Sequence, residues 1–226
     1  MKVVEAGNIG VQEPKGFMSK GTLLWSIPFY VDNSGFYDLT DVGLKLHVYL
    51  ENETILTVSA EMPNIPAGGT AASSCNLSIS LAELVSKHKE ILTVDAGFNV
   101  CVSLRFRVAS AIALSISTNT TMPWGAPFHE LAIRDVSYDH ASRIFSASLN
   151  FNNHAFFQVN ETLMVKLYSF EGEPLDSTFI DVNVPPGGTF KGSFMMRIDD
   201  PSKLARGVFI RLYYLGVQIL EVEWLP

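Results

Sequence analysis

Apolar and polar residues alternate with a period of two along most of this chain. From Leu23 to Asn33, Trp25, Ile27, Phe29 and Val31 alternate with Leu24, Ser26, Pro28, Tyr30 and Asp32. That period defines a β-strand with one buried face. Pro28 has no N–H to give a ladder, so the strand is expected at a sheet edge or at a bulge. Val42, Leu44, Leu46, Val48 and Leu50 repeat the pattern, as do Leu56, Val58 and Ala60, then Cys75, Leu77 and Ile79. Phe98, Val100, Val102, Leu104, Phe106 and Val108 form the most regular run, followed by Ile112, Leu114 and Ile116. An opening strand is expected over residues 3–11, ahead of the turn-rich stretch from Gln12 to Gly16.

One stretch departs from this period. Ser80 followed by Glu83 has capping-box spacing, and Leu81, Leu84 and Val85 share a helical face, so a short helix is expected there.

The chain writes this order twice. Asn33-Ser34-Gly35-Phe36-Tyr37 leads to Pro66-Ala67-Gly68-Gly69-Thr70, and Asn153-His154-Ala155-Phe156-Phe157 leads to Pro185-Pro186-Gly187-Gly188-Thr189. In the second copy Phe145, Ala147, Leu149 and Phe151 correspond to the Trp25 strand, and the helix shrinks to a turn around Pro201 to Ala205. About seven short strands per copy, divided by turn residues and lacking a crossover helix, predict an all-β protein. The expectation is two tandem immunoglobulin/fibronectin-III-like antiparallel β-sandwiches with one short helix in the first. Their expected extents are residues 1–119 and 128–226, with 120–127 as linker. The Cys and Trp spacing of true immunoglobulin domains is missing.

Of the 226 residues, 47% are apolar and 17% charged, which suffices for two cores and argues against disorder. The apolar residues lie in short stretches, so no membrane span is expected. The segment Met1 to Asn8 lacks a basic flank and apolar block. Two readings follow: a cytoplasmic protein, or a surface protein whose native anchor is missing from this chain. Net charge is -7 and no Lys/Arg cluster occurs, which sets nucleic acid aside as a partner.

No Gly-x-Ser-x-Gly elbow, phosphate loop or His-Glu-x-x-His motif is present, so no catalytic residue and no cofactor is expected. The Gly-Gly pairs precede strands and cannot serve as helix-terminus anion sites. His47, His88, His129, His140 and His154 stand singly, and no metal site is expected from their spacing. Asp139-His140 with His154 is the one grouping to look for in space. Asp38, Asp41, Asp135 and Asp139 could form a calcium site, or be ordinary loop carboxylates of an acidic protein. Cys75 and Cys101 are candidates for a cross-strand disulfide, or are two unconnected thiols.

Four N-x-S/T sequons occur, at Asn52, Asn76, Asn119 and Asn160. Asn52 and Asn119 fall in an expected turn and linker, where glycans can be carried. In the pairs Phe36-Tyr37 and Phe156-Phe157, strand alternation would put one member in the core and the other outside. Tyr37 and Phe157 are the candidates for contact with a protein partner or a second copy.

The Asn-initiated turn, the charged hairpin and Ile65-Pro66-Ala67-Gly68-Gly69 leading into an apolar strand and short helix resemble the water-stress-hypersensitive (WHy) or LEA14 domain. Members carry an Asn-Pro-Asn element near this point; Asn33-Ser34-Gly35 and Asn153-His154-Ala155 lack its proline. The resemblance implies a non-enzymatic protein, stress-protective or surface-associated. The tandem arrangement is also similar to extracellular parts of membrane-anchored archaeal proteins. Three functions are thus carried forward. The first is a surface-exposed or anchored non-catalytic binding or structural module. The others are an intracellular LEA14-like stress protein and a hydrolase with an inter-domain cleft site.

Overall fold

The computed structural model describes residues 9–11, 15–19 and 21–226. The expected strand residues 3–8 and the turn residues 12–14 lie outside that range. Among the described residues the chain is all-β with one short α-helix, arranged as two compact units that each contain two antiparallel sheets.

Unit 1 comprises residues up to Leu81 together with Gly97–Pro123. Its strands are β1 (Ile9–Val11), β2 (Lys15–Ser19), β3 (Thr22–Asp32), β4 (Leu39–Leu50), β5 (Glu53–Glu61) and β6 (Thr70–Ser80), then β7 (Ala96–Val108) and β8 (Ile112–Trp124). In one sheet β3 pairs with β1, β2 and β6; the other runs β5-β4-β7-β8. The alternation translates directly into burial. Trp25, Ile27, Phe29 and Val31 of β3 are buried, as are Leu44, Leu46, Val48 and Leu50 of β4 and the even-numbered residues from Phe98 to Val108 of β7. The Trp25 and Phe98 rings meet edge to face at 5.8 Å. Each such large side chain removed from water stabilises the fold by roughly 1.5–3 kcal/mol.

Contrary to expectation, β3 is not an edge strand. It pairs continuously with β6, Pro28 opposite Ser74. On its other side β1 covers residues 29–31 and β2 covers 22–26, so Pro28 falls between the two partners. Its missing donor is accommodated by that gap.

Unit 2 comprises Ala82–Ala96 and Trp124–Pro226. One sheet is β13-β10-β9 and the other β12-β11-β14-β15. These strands are β9 (His129–Asp139), β10 (Ile144–Asn152), β11 (Val159–Ser169), β12 (Pro174–Val184), β13 (Thr189–Arg197), β14 (Val208–Tyr214) and β15 (Val217–Trp224). The pairing pattern of unit 1 recurs, with β10, β11, β12 and β13 in the places of β3, β4, β5 and β6. As expected, the second helix is reduced to a 3-10 turn at Pro201–Leu204, capped by Asp200, whose side chain accepts from the Ser202 N–H.

The boundaries differ from the expected ones in two places. The helix α1 (Leu81–Lys87) forms where the capping box lies, but from Ala82 onward this segment belongs to unit 2, with the following 3-10 turn Lys89–Leu92. Residues 120–127 are not a linker: β8 runs on to Trp124, and Trp124, Ala126 and Phe128 are at most 1% exposed. Every second residue from Trp124 to Phe128 is apolar and buried, so the prolines and glycine of this stretch bend a packed segment.

The repeated Asn pattern has a structural cause. Asn33 is 1% exposed, and its side-chain amide donates to the carbonyls of Tyr37 (2.9 Å), Ile65 (3.1 Å) and Pro66 (3.0 Å). Its backbone N–H donates to Gly69 O, and its own carbonyl accepts from Gly68 N–H, both at 2.8 Å. Asn153 is fully buried and does the same in unit 2, donating to Phe157 O (2.9 Å) and Val184 O (3.0 Å) and pairing with Gly187 and Gly188. Each Asn therefore adds a side-chain donor to carbonyls of two crossing segments and ties those segments together beyond their backbone hydrogen bonds. Gly68 and Gly187 take positive φ, 70° and 71°, which explains the glycine at those positions. Thr70 and Thr189 complete the corner by donating to Asp32 and Asn152.

Candidate functional site

Three polar side chains distant in sequence meet in unit 2: Asp95, His129 and His154. One ligand atom from each lies within 4.8 Å of the other two. His154 Nδ1 and Asp95 Oδ2 are 2.9 Å apart, and the His129 and His154 rings stack at 3.9 Å with planes 17° apart. His129 Nδ1 is shut off from solvent and has no hydrogen-bond partner.

Each of the three is placed by a fixed neighbour. Asp95 follows the 3-10 turn whose Ile91 and Leu92 are buried, and its Oδ1 accepts from the Ala126 N–H at 2.7 Å. His129 follows Phe128, which is wedged edge-on between Phe151 and Tyr214 and whose N–H donates to Leu92 O. A bulge sets its direction: Ala132 pairs with Asn150 but His129 with Asn152, leaving one extra residue in β9 where Glu130 takes φ 54°. His154 follows the Asn153 corner, and its N–H donates to Ala126 O at 3.0 Å. A Cβ at Gly125 would run into the carbonyl of His154, so only glycine permits this approach.

Trp124 closes the same region. Its indole N–H donates to Ile91 O at 2.8 Å, and its ring meets Phe156 and Phe157 at 6.3 Å and 5.8 Å.

Burial works to raise the Asp95 carboxyl, but the Ala126 N–H and the two imidazoles outweigh it and hold the group below the usual carboxylate range. Asp95 and His154 are both partly exposed, at 49% and 39% of their side chains, so the cluster opens to solvent on one side.

The grouping of Asp139-His140 with His154, the one to look for in space, is not among the clusters of the described residues. Asp139 accepts from Ala141 N–H and Ser142 Oγ in its own turn, and His140 packs on Tyr138. The carboxylates considered for calcium are likewise engaged: Asp38 with the Ala67 N–H, Asp41 with Arg107, Asp135 with Ser148. The pairing of His154 with Asp95 and His129 was invisible in the sequence because 59 residues separate Asp95 from His154.

The aromatic pairs also depart from strand alternation. Residues 35–37 and 155–157 form bends, so alternation does not govern them. In the first copy both aromatics are exposed, Phe36 at 83% and Tyr37 at 56%. In the second, Phe157 is buried against Trp124 and only Phe156 is partly exposed. Phe157 is thus a core residue and not a contact residue.

No disulfide joins the cysteines. Cys75 points into the core of unit 1 opposite Ile27, whereas Cys101 lies between buried Val100 and Val102 and so faces outward beside His47. Asn52 lies in the β4–β5 turn and is exposed; Asn119 is exposed too, but on β8 and not in a linker. Both line one open cleft with Tyr49, Asn99 and Cys101. Among the described residues no helix is long and apolar enough to cross a membrane.

No protein-family model and no curated protein matches this chain. Among solved structures it is similar to a red sea bream transglutaminase, with 14% identity over 95% of this chain and 30% of that one, and a TM-score of 0.35. It is also similar to the periplasmic chaperone SfaE (8% identity, 96% of this chain and 100% of that one, TM-score 0.30) and to the YadV chaperone (11%, 96% and 100%, TM-score 0.29).

Proposed function

We propose that this protein is a non-catalytic tandem β-sandwich module that binds a protein partner, with the corner at Phe36 and Tyr37 as its contact point. One observation carries the reading. The two copies build the same Asn-centred corner, yet only in unit 2 are the aromatics beyond it packed, with Phe157 on Trp124 and 6% exposed. Phe36, at 83%, is the most exposed large apolar side chain among the described residues. Tyr and Phe on a rigid corner supply contact area at little entropic cost. The edge strands β5 and β8 of one unit 1 sheet offer further backbone groups for strand pairing. A surface-exposed or anchored native form fits this role, and the non-enzymatic part agrees with what the WHy resemblance implies.

The test is site-specific crosslinking. A benzophenone amino acid is placed at residue 36, and at exposed Lys45 as control, in protein expressed in its native cells. The expected result is a discrete higher-mass adduct from position 36 that Tyr37→Ser suppresses. Equal crosslinking from both positions, or none from either, overturns the reading.

A further inference from the structure

We propose that Asp95, His129 and His154 form a binding site for a divalent late-transition-metal ion of the Zn2+ class. Two imidazoles and one carboxylate are the donor set such ions select, and they leave a fourth position open to water or an anion. The site holds no thiolate for a soft monovalent ion, and a single carboxylate is too few oxygens for Ca2+.

The arrangement supports this in three ways. The His129 Nδ1 is enclosed without a hydrogen-bond partner, a state that is costly for a ring nitrogen unless something binds there. Asp95 and His154 already face each other through Oδ2 and Nδ1, and an ion would replace the proton between them. The carboxylate is held by its other oxygen to the Ala126 N–H, the kind of outer contact that fixes a metal ligand. Bonds of about 2.0–2.2 Å bring ligand atoms of a tetrahedral ion to about 3.3–3.6 Å from one another. A separation at the present 4.8 Å limit would close by about 1.2–1.5 Å and the 2.9 Å His154–Asp95 pair would open by about 0.4–0.7 Å, reached by turning the rings out of their stack. The exposed side of His154 leaves room for the turn. Each ligand comes from a different segment, so the ion would clasp the 89–95 segment, the start of β9 and the corner after β10 within unit 2.

The experiment uses the full chain stripped with EDTA and titrated with ZnCl2 by calorimetry, with CoCl2 absorption reporting the ligand geometry. The expected result is one ion per chain, with Tm rising with Zn2+ concentration. Affinity should fall more than about tenfold in His154→Ala and in Asp95→Asn and stay unchanged in His140→Ala. Asp95→Asn keeps an oxygen for the Ala126 N–H, so it reads the charge at the site in a chain that still folds. The proposal is overturned if Zn2+ does not bind, if both site variants bind as well as the parent, or if CaCl2 competes with Zn2+ on equal terms.

Discussion

The side-chain amide of Asn153 donates to the carbonyl of Val184 at 3.0 Å, inside unit 2 and out of reach of water. Its Oδ1 accepts from the Ala155 N–H at 2.9 Å, so one side chain serves both the corner and the end of β12. Replacement by Ala takes a buried donor from the Phe157 and Val184 carbonyls and the acceptor from the Ala155 N–H. Asn153→Ala is expected to lower stability by about 2–4 kcal/mol, since each buried polar group left unsatisfied costs roughly 1–3 kcal/mol. Asn153→Asp, which has no amide donor and brings charge among carbonyls, should do no better. Urea unfolding followed by circular dichroism measures both; a loss near zero for either would show that the corner holds without the amide.

Trp124 makes a separable prediction. Trp124→Phe retains an aromatic ring against Phe157 but leaves the Ile91 carbonyl without its donor, for a loss of about 1–3 kcal/mol. Trp124→Ala also removes the ring and should cost about 3–5 kcal/mol. The ordering of the two in thermal melts is the check: equal losses would mean that the indole N–H contributes all of the effect.

The pH dependence of stability should contain two opposite contributions. Glu161 on β11 is half-buried, and burial raises its carboxyl above the usual value. The folded chain therefore holds this proton more tightly than the unfolded chain, and stability falls as pH rises through the unfolded and then the folded value. Glu161→Gln is expected to raise Tm at about pH 8 and to leave it unchanged at about pH 3. Asp200 is the reverse case, lowered by the hydroxyl and N–H of Ser202. Its contribution is present above the unfolded pKa and disappears as pH falls through the folded one, so Asp200→Asn should reduce Tm at neutral pH only.

The two thiols should differ in reactivity. Cys101 faces outward, whereas Cys75 is 1% exposed and burial raises its pKa, which disfavours the reactive thiolate. An aromatic disulfide reagent should label one thiol quickly in the folded protein, mapped to Cys101, and the second only on unfolding. Resistance of both to alkylation in denaturant would indicate a disulfide, against the positions of their strands.

Strand order was legible because burial follows a period of two, and Trp25, Leu46 and Val102 needed nothing further. The helix was legible from Ser80 and Glu83. Its membership in unit 2 was not, since a capping pattern records how a segment starts and not what it packs on. The burial of Phe157 was not legible for a related reason. Alternation was applied to residues that form a bend, and the burial of Phe157 is decided by Trp124, 33 positions away. The Asp95, His129 and His154 cluster depends on a bulge in β9 and on the corner at Asn153. Neither feature changes the spacing of histidines that a motif search reads.

The excursion of residues 82–96 out of unit 1 and into unit 2 means that neither unit is encoded by one continuous stretch of sequence. A fragment beginning at residue 128 would lack Ile91 and Leu92, together with the backbone carbonyl that receives the Phe128 N–H. A fragment ending at residue 119 would carry that apolar segment with nothing to lie against. Gene halves cut between residues 120 and 127 should therefore be insoluble apart and recover only when produced together, because the first half carries the segment that completes unit 2.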